Sequence, residues 1–264
     1  MSGPSLAPVD RAAVADWRAR LYSPDRMAVA VSGAVEEAEL LALAEAWFGA
    51  AVAAPREPTA PAVFTGGEAR LARRIEQANL VFQLPSLRVR DPRLPALRLF
   101  TEILGGGMAS RLFQSAREER GLAYAIDAYH ETYDDLGVLG VYAGAAAERS
   151  LELAELCAAE ILGLAEKGPT QGELARAKAV LNAGLWMADE SPASRAGRLA
   201  GQTLAFGAPV SSEDSAARIE AQTIDDLRAV GRAMAAPGLS ATAVLGPRAA
   251  GGAGRAFRRR MAAG

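Results

Sequence analysis

The chain has 264 residues, of which half are hydrophobic and about a quarter charged, an ordinary balance for a globular protein with a sizeable core. Its net charge of −2 supplies no global field to recruit nucleic acid or an anionic membrane surface. Cys157 is the single cysteine, so no intrachain disulfide can form. Met1 to Pro8 show no basic stretch leading into an apolar run, as a signal peptide requires, and no stretch of 18 apolar residues marks a membrane span. The compartment stays open between cytoplasm and periplasm, the latter if an N-terminal part is missing.

In chain order, Asp10 is placed to cap a helix over 11–22, with Val14, Trp17 and Leu21 spaced as one apolar stripe. Ser23-Pro24-Asp25 breaks it, 26–32 (RMAVAVS) predicts a strand ending at Gly33, and a second helix follows over 35–48. Residues 50–68, with Pro55, Pro58, Pro61, Gly66 and Gly67, predict a linker. Strands are expected near 69–76 and 78–84, helices over 92–104 and 109–119, and a hairpin over 122–145 turning at Asp134-Asp135. A helix over 147–167 ends at Gly168-Pro169. Thr170 and Glu173 then form a capping-box pattern, each side chain placed to satisfy a free backbone N–H of the next helix. Further helices are expected over 192–206, stopped at Gly207, and over 224–235, closed by Pro237-Gly238, and a last strand over 239–245. The end, rich in Gly, Ala and Arg, with Arg255 and Arg258–Arg260, reads as a flexible, solvated tail over 248–264.

Two segments share one grammar. Asp10 to Gly33 and Thr223 to Gly246 each run cap, helix, Pro break, apolar strand, Gly over the same span. The pattern suggests the end of one repeat over 1–52, a linker over 53–68 and a complete second repeat over 69–247. Helix–turn–strand units are common, so accident is the competing reading.

The segment Leu104–Tyr124, LGGGMASRLFQSAREERGLAY, is similar to the signature stretch in the C-terminal half of M16 peptidases, the pitrilysin and processing-peptidase family. The likeness continues through DLGVLGVYAG, and more weakly through Glu173–Lys178, Leu239–Pro247 and Ile75–Ala78. It implies an α+β fold of two related halves, each a sheet covered by helices on one face. The family's first half carries an H-x-x-E-H helix that binds zinc and activates water. This chain has no such motif; His130 is its only histidine, and it shares no ligand-like spacing with Cys157. The expectation is therefore no metal and no cofactor on this chain, with zinc only on a partner half or subunit.

In the family, an Arg and a Tyr seven positions apart in the C-terminal half reach the active site of the other half, and Arg117 and Tyr124 match them. A fixed guanidinium and phenol can donate to the oxyanion that peptide hydrolysis builds. Gly105, Gly106 and Gly107 lack the G-K-[ST] ending of a phosphate loop, and the resemblance implies instead a loop that touches substrate or gates the cavity. The expected partners are a catalytic half or subunit, or a second copy in a dimer, and an extended peptide, with no nucleic acid. The first functional expectation is the zinc-free C-terminal part of a metalloendopeptidase, inactive alone. The competing one is an inactive scaffold subunit.

Overall fold

A computed structural model describes residues 6–53, 55, 59–236 and 238–263. These fall into two compact units. One holds the residues up to Ala60 with Trp186–Ser211; the other holds Pro61–Leu185 with the residues from Ser212 onward.

The larger unit is built on a five-stranded sheet of order β1-β5-β2-β4-β3. Its strands are β1 (Gly67–Ala72), β2 (Gln77–Ser86), β3 (Ala125–Thr132), β4 (Gly137–Ala146) and β5 (Ala241–Gly246). Only the β1–β5 pair is parallel. In β2, Ala78, Leu80, Phe82 and Leu84 are buried while the alternate Asn79, Val81 and Gln83 are partly exposed. That period of two means helices cover one face of the sheet and leave the other free of the core.

The covering helices are α3 (Leu94–Gly105), α4 (Ser150–Lys167), α8 (Ile224–Ala235) and α9 (Ala253–Ala262). In α3, Leu97, Phe100 and Leu104 are fully buried at spacings of three and four, which turns one continuous stripe to the sheet. At Gly231 of α8 a Cβ would lie 2.7 Å from both Ala165 Cα and the Phe100 ring, so the glycine lets α8 and α4 approach closely. Thr223 and Asp226 form a capping box at the start of α8, each side chain accepting from the other's backbone N–H.

The hairpin turns at Asp134-Asp135, closed by the Tyr133 N–H donating to Leu136 O at 2.7 Å. Two elements of this unit differ from the sequence expectation. The expected flexible tail over 248–264 is folded in its described residues: α9 buries Ala253, Ala256, Phe257 and Met261, and the Phe257 ring stacks on Phe82 at 4.4 Å between centroids. Its apolar residues are few but share one face, and Arg258 and Arg259 pair with Glu68 and Glu155. A short helix α7 (Ser212–Glu220), unforeseen because its apolar content is low, buries Ile219. Pro237, read as part of a helix stop, and Pro58, read as part of the linker, lie outside the described residues.

In the smaller unit, α1 (Arg11–Leu21) is capped by Asp10, whose carboxylate accepts from Ala13 N–H at 2.8 Å. The unit also contains α2 (Glu37–Phe48) and α6 (Pro192–Phe206). The capping box at Thr170 opens α5 (Gln171–Asp189), which links the larger unit to the smaller one; α6, expected within the C-terminal domain, groups with the N-terminal residues. Gly207 ends α6 in the left-handed conformation, at φ 83°. The segment expected as a strand over 26–32 pairs with no strand among the described residues. Met27, Val29 and Val31 are exposed, and an extended chain without a partner earns no ladder hydrogen bonds.

The stacked ring carries the C-terminal helix. Phe257→Ala is expected to destabilise the larger unit by roughly 3–5 kcal/mol, the usual cost of emptying a buried aromatic site. Arg255→Ala, at an exposed position of the same helix, is expected to stay within about 0.5 kcal/mol. Urea unfolding of both variants checks this, and equal midpoints would show that α9 does not belong to the cooperative core.

Candidate functional site

The stretch from the end of α3 to the start of β3 holds Gly105, Gly106, Gly107, Arg117 and Tyr124. Its three glycines have separate reasons. A Cβ at Gly105 would sit 2.4 Å from Ala128 N, so this glycine lets the end of α3 lie directly on β3. A Cβ at Gly106 would sit 2.1 Å from the Glu102 carboxylate, which occupies that space. Gly107 faces nothing within 4 Å. None of the three has positive φ, so close approach rather than backbone strain accounts for the first two.

After the loop, Ser110 donates its hydroxyl to Gly107 O at 2.6 Å and Gln114 donates its amide to Met108 O at 2.7 Å, which ties the turn to the next helix. Arg111 then makes a bidentate pair with Glu173, Nε to Oε1 at 2.7 Å and Nη2 to Oε2 at 2.9 Å, and also donates to Gly168 O at 3.1 Å. Glu173 at the same time accepts from Thr170 N–H at 2.7 Å. One carboxylate thus caps α5 and anchors the loop. Sequence reasoning finds the cap, whose partners are three apart, and misses Arg111, whose partner lies far along the chain.

Arg117 lies in a π-helical turn, Phe113–Glu118, with its guanidinium 4.8 Å from the centre of the Phe113 ring. Leu122 N–H donates to Ala116 O at 2.7 Å and Gly121 N–H to Arg117 O at 3.2 Å, the latter at a positive φ of 58° that favours glycine. Tyr124 enters β3 with its N–H donating to Gly144 O at 2.8 Å, and its side chain is 59% exposed. Backbone hydrogen bonds therefore fix both ends of the 117–124 turn while both side chains point outward. No hydrogen bond joins Arg117 to Tyr124 among the described residues.

The sheet face opposite the helices carries an ordered polar set. Tyr142 donates its hydroxyl to Asn79 Oδ1 at 2.8 Å, and Gln83 Nε2 donates to the Tyr129 hydroxyl at 3.2 Å. The Tyr129 ring lies against Gly140, where a Cβ would meet it at 2.2 Å.

The available donors do not suit zinc. Burial, aided by nearby Arg98, holds the His130 imidazole below its ordinary range, which would leave one neutral nitrogen ligand. Cys157 is fully buried in α4, and burial pushes its thiol above the ordinary range, away from the thiolate that zinc requires. No three His, Cys, Asp or Glu side chains group as ligands among the described residues.

Residues 8–181 match the family model described as the peptidase M16 inactive domain, so the chain belongs to the peptidase M16 family. It is 35% identical over 257 residues to an uncharacterized zinc protease of Mycobacterium tuberculosis, covering 93% of this chain and 57% of that protein. A second uncharacterized zinc protease, of Streptomyces coelicolor, is 35% identical over 237 residues, covering 86% and 51%. The chain thus spans somewhat more than half the length of these relatives. Among solved structures, a peptidase M16 inactive domain from Pseudomonas fluorescens superposes with a TM-score of 0.80 at 23% identity, over 93% of this chain and 59% of that one. A chain of complex III from Candida albicans gives 0.74 at 18% identity, over 86% and 56%. The α+β fold with its one-sided sheet is therefore that of M16 inactive domains, and among the described residues no helix is long and apolar enough to cross a membrane.

The Arg111–Glu173 pair has a pH signature. Its hydrogen bonds with Arg111 hold the Glu173 carboxyl at about 2, below its ordinary 4.5. A depressed folded value means stability that is complete above pH 4.5 and is lost as pH falls toward 2. Glu173→Gln is expected to lower stability at neutral pH and to flatten its dependence between about pH 5 and 2. Acid titration of thermal unfolding checks this, and parallel pH profiles would show that the pair contributes nothing.

Proposed function

We propose that this chain is the zinc-free C-terminal part of an M16-type metalloendopeptidase. In this reading it completes a peptide-binding cavity for a catalytic half or subunit and helps hold the substrate. Arg117 and Tyr124 donate to the peptide backbone or to the oxyanion that forms on the scissile carbonyl, while water activation belongs to zinc on the partner. The observation that carries the proposal is the outward placement of both side chains on a turn pinned by backbone hydrogen bonds, within a stretch that matches the M16 inactive domain. A preset donor needs no reorganisation when charge develops, which is the physical basis of such assistance.

Mixing the chain with a zinc-bearing first half from the same source, over a quenched unstructured peptide, tests this. The chain alone is expected to be silent and the mixture active. Arg117→Ala should reduce turnover on the order of 10²-fold, and Tyr124→Phe by less. A mixture that cleaves equally well with both variants would remove the two residues from the site. An inactive scaffold subunit is the second reading, favoured by the likeness to a chain of complex III, an assembly. Silence of the mixture would select it.

We also infer that residues 10–49 form the end of a preceding repeat. Neither α1 nor α2 buries a single residue, and Trp17 and Trp47 are 52% and 71% exposed. Apolar surface of this kind drives self-association. The isolated chain is expected to bind an apolar dye and to grow in mass with concentration in light scattering. A monomer without dye binding at high concentration would overturn this inference.

A further inference from the structure

Next to the glycine loop lies a cleft of about 300 Å³ to which the proposed function assigns no role. Its walls come from the end of α3, the loop and the first turns of α5. They are mostly apolar, with Ile103, Met108, Ala177 and Val180 alongside Glu102 and Arg176. The cleft is large enough for one long side chain and too small for a folded ligand.

Glu102 is the anomaly. It is partly buried in the last full turn of α3, and among the described residues its carboxylate makes no hydrogen bond and no ion pair. Arg98, one helical turn earlier, does not pair with it. Arg176, across the cleft, donates instead to the Ala109 carbonyl at 3.3 Å. Burial without a partner pushes the Glu102 carboxyl above its ordinary range. The absence of a side chain at Gly106 gives the carboxylate its place, since a Cβ there would meet it at 2.1 Å. Glu173, the other acid on the wall, is already occupied by Arg111. A half-buried carboxylate without a protein partner, beside an apolar trough, is complementary to a ligand with an apolar stem and a cationic head.

We propose that this cleft receives a lysine or arginine side chain of an extended peptide, with its methylene stem along Ile103, Met108 and Val180 and its charge on Glu102. The Arg176 guanidinium, held on the loop backbone, repels a second cation and confines the head to the Glu102 side. An acidic side chain would meet Glu102 as a like charge. The inference rests on the peptide-binding reading above and adds to it a preference for a basic residue.

Two probes keep the inference and that reading apart. The first is n-butylammonium, which needs only the cleft and no peptide-binding surface. Followed by the carboxyl carbon resonance of Glu102, it is expected to lower the pH midpoint of that group, and the effect should vanish in Glu102→Gln. The second is a pair of capped extended peptides that differ only in lysine against norleucine. Lysine is expected to bind roughly tenfold more tightly, the scale of a hydrogen bond to a charged group. Glu102→Gln should abolish that ratio, and so should Gly106→Ala, which displaces the carboxylate without removing it. Arg117→Ala should weaken both peptides equally and leave the ratio intact. A Glu102 resonance unmoved by n-butylammonium would overturn the inference whatever the peptides do. A shifted resonance with no binding of either peptide would keep the cationic cleft and defeat the peptide-binding reading. Equal binding of the two peptides, or a ratio indifferent to Glu102, would also overturn the preference.

Discussion

The two-residue period of β2 is the constraint on which the larger unit depends. Because Leu80 and Phe82 point one way and Asn79, Val81 and Gln83 the other, four helices can seal one side of the sheet without touching the opposite side. A shift of one residue in the pairing of β2 with β4 would bury the amides and expose Phe82, and every helix contact would fail together. The Tyr129 ring against Gly140 and the hydroxyl bond of Tyr142 to Asn79 add register-specific contacts on the uncovered side. The polar face is therefore held in place by the same alignment that packs the core.

Around that sheet, the loop between α3 and β3 is restrained by groups of very different range. Ser110 and Gln114 act within a few residues, whereas the Arg111–Glu173 pair ties the loop to a helix far along the chain. The outcome is a stretch with three glycines whose ends are nonetheless fixed. Only Gly107 retains the open surroundings that three consecutive glycines suggest. Gly105 belongs to the packing of α3 on the sheet, and Gly106 belongs to Glu102.

Much of the framework was legible in the sequence because its signals are local. The Thr170–Glu173 cap, the hairpin turn at Asp134-Asp135 and the stop at Gly207 each depend on neighbours within a few positions. Long-range partners left no such trace. Composition made the C-terminal residues look like a solvated tail, yet Phe257 and Met261 sit one turn apart and need only one side of a helix. The extended 26–32 segment shows the converse: apolar alternation predicted a strand, but a strand also needs a neighbour that the described residues do not contain. For the candidate site, Arg117 and Tyr124 came from family resemblance, and the structure adds the pinned turn. Glu102 could not be singled out beforehand, because one glutamate in an amphipathic helix looks like any solvated charge until its lack of a partner is seen.

The stacking of Phe257 on Phe82 has a consequence for how the chain acquires its shape. The β3–β4 hairpin joins near neighbours and can close early, whereas the innermost contact of α9 links a strand from the start of the unit to a helix at its very end. During synthesis α9 emerges long after β2, so the place on β2 that the Phe257 ring fills stays open until then. Contacts of such sequence separation also slow folding in general. A nascent chain that holds the sheet but not yet α9 is thus exposed to misassembly, because the helical cover of that sheet is still incomplete.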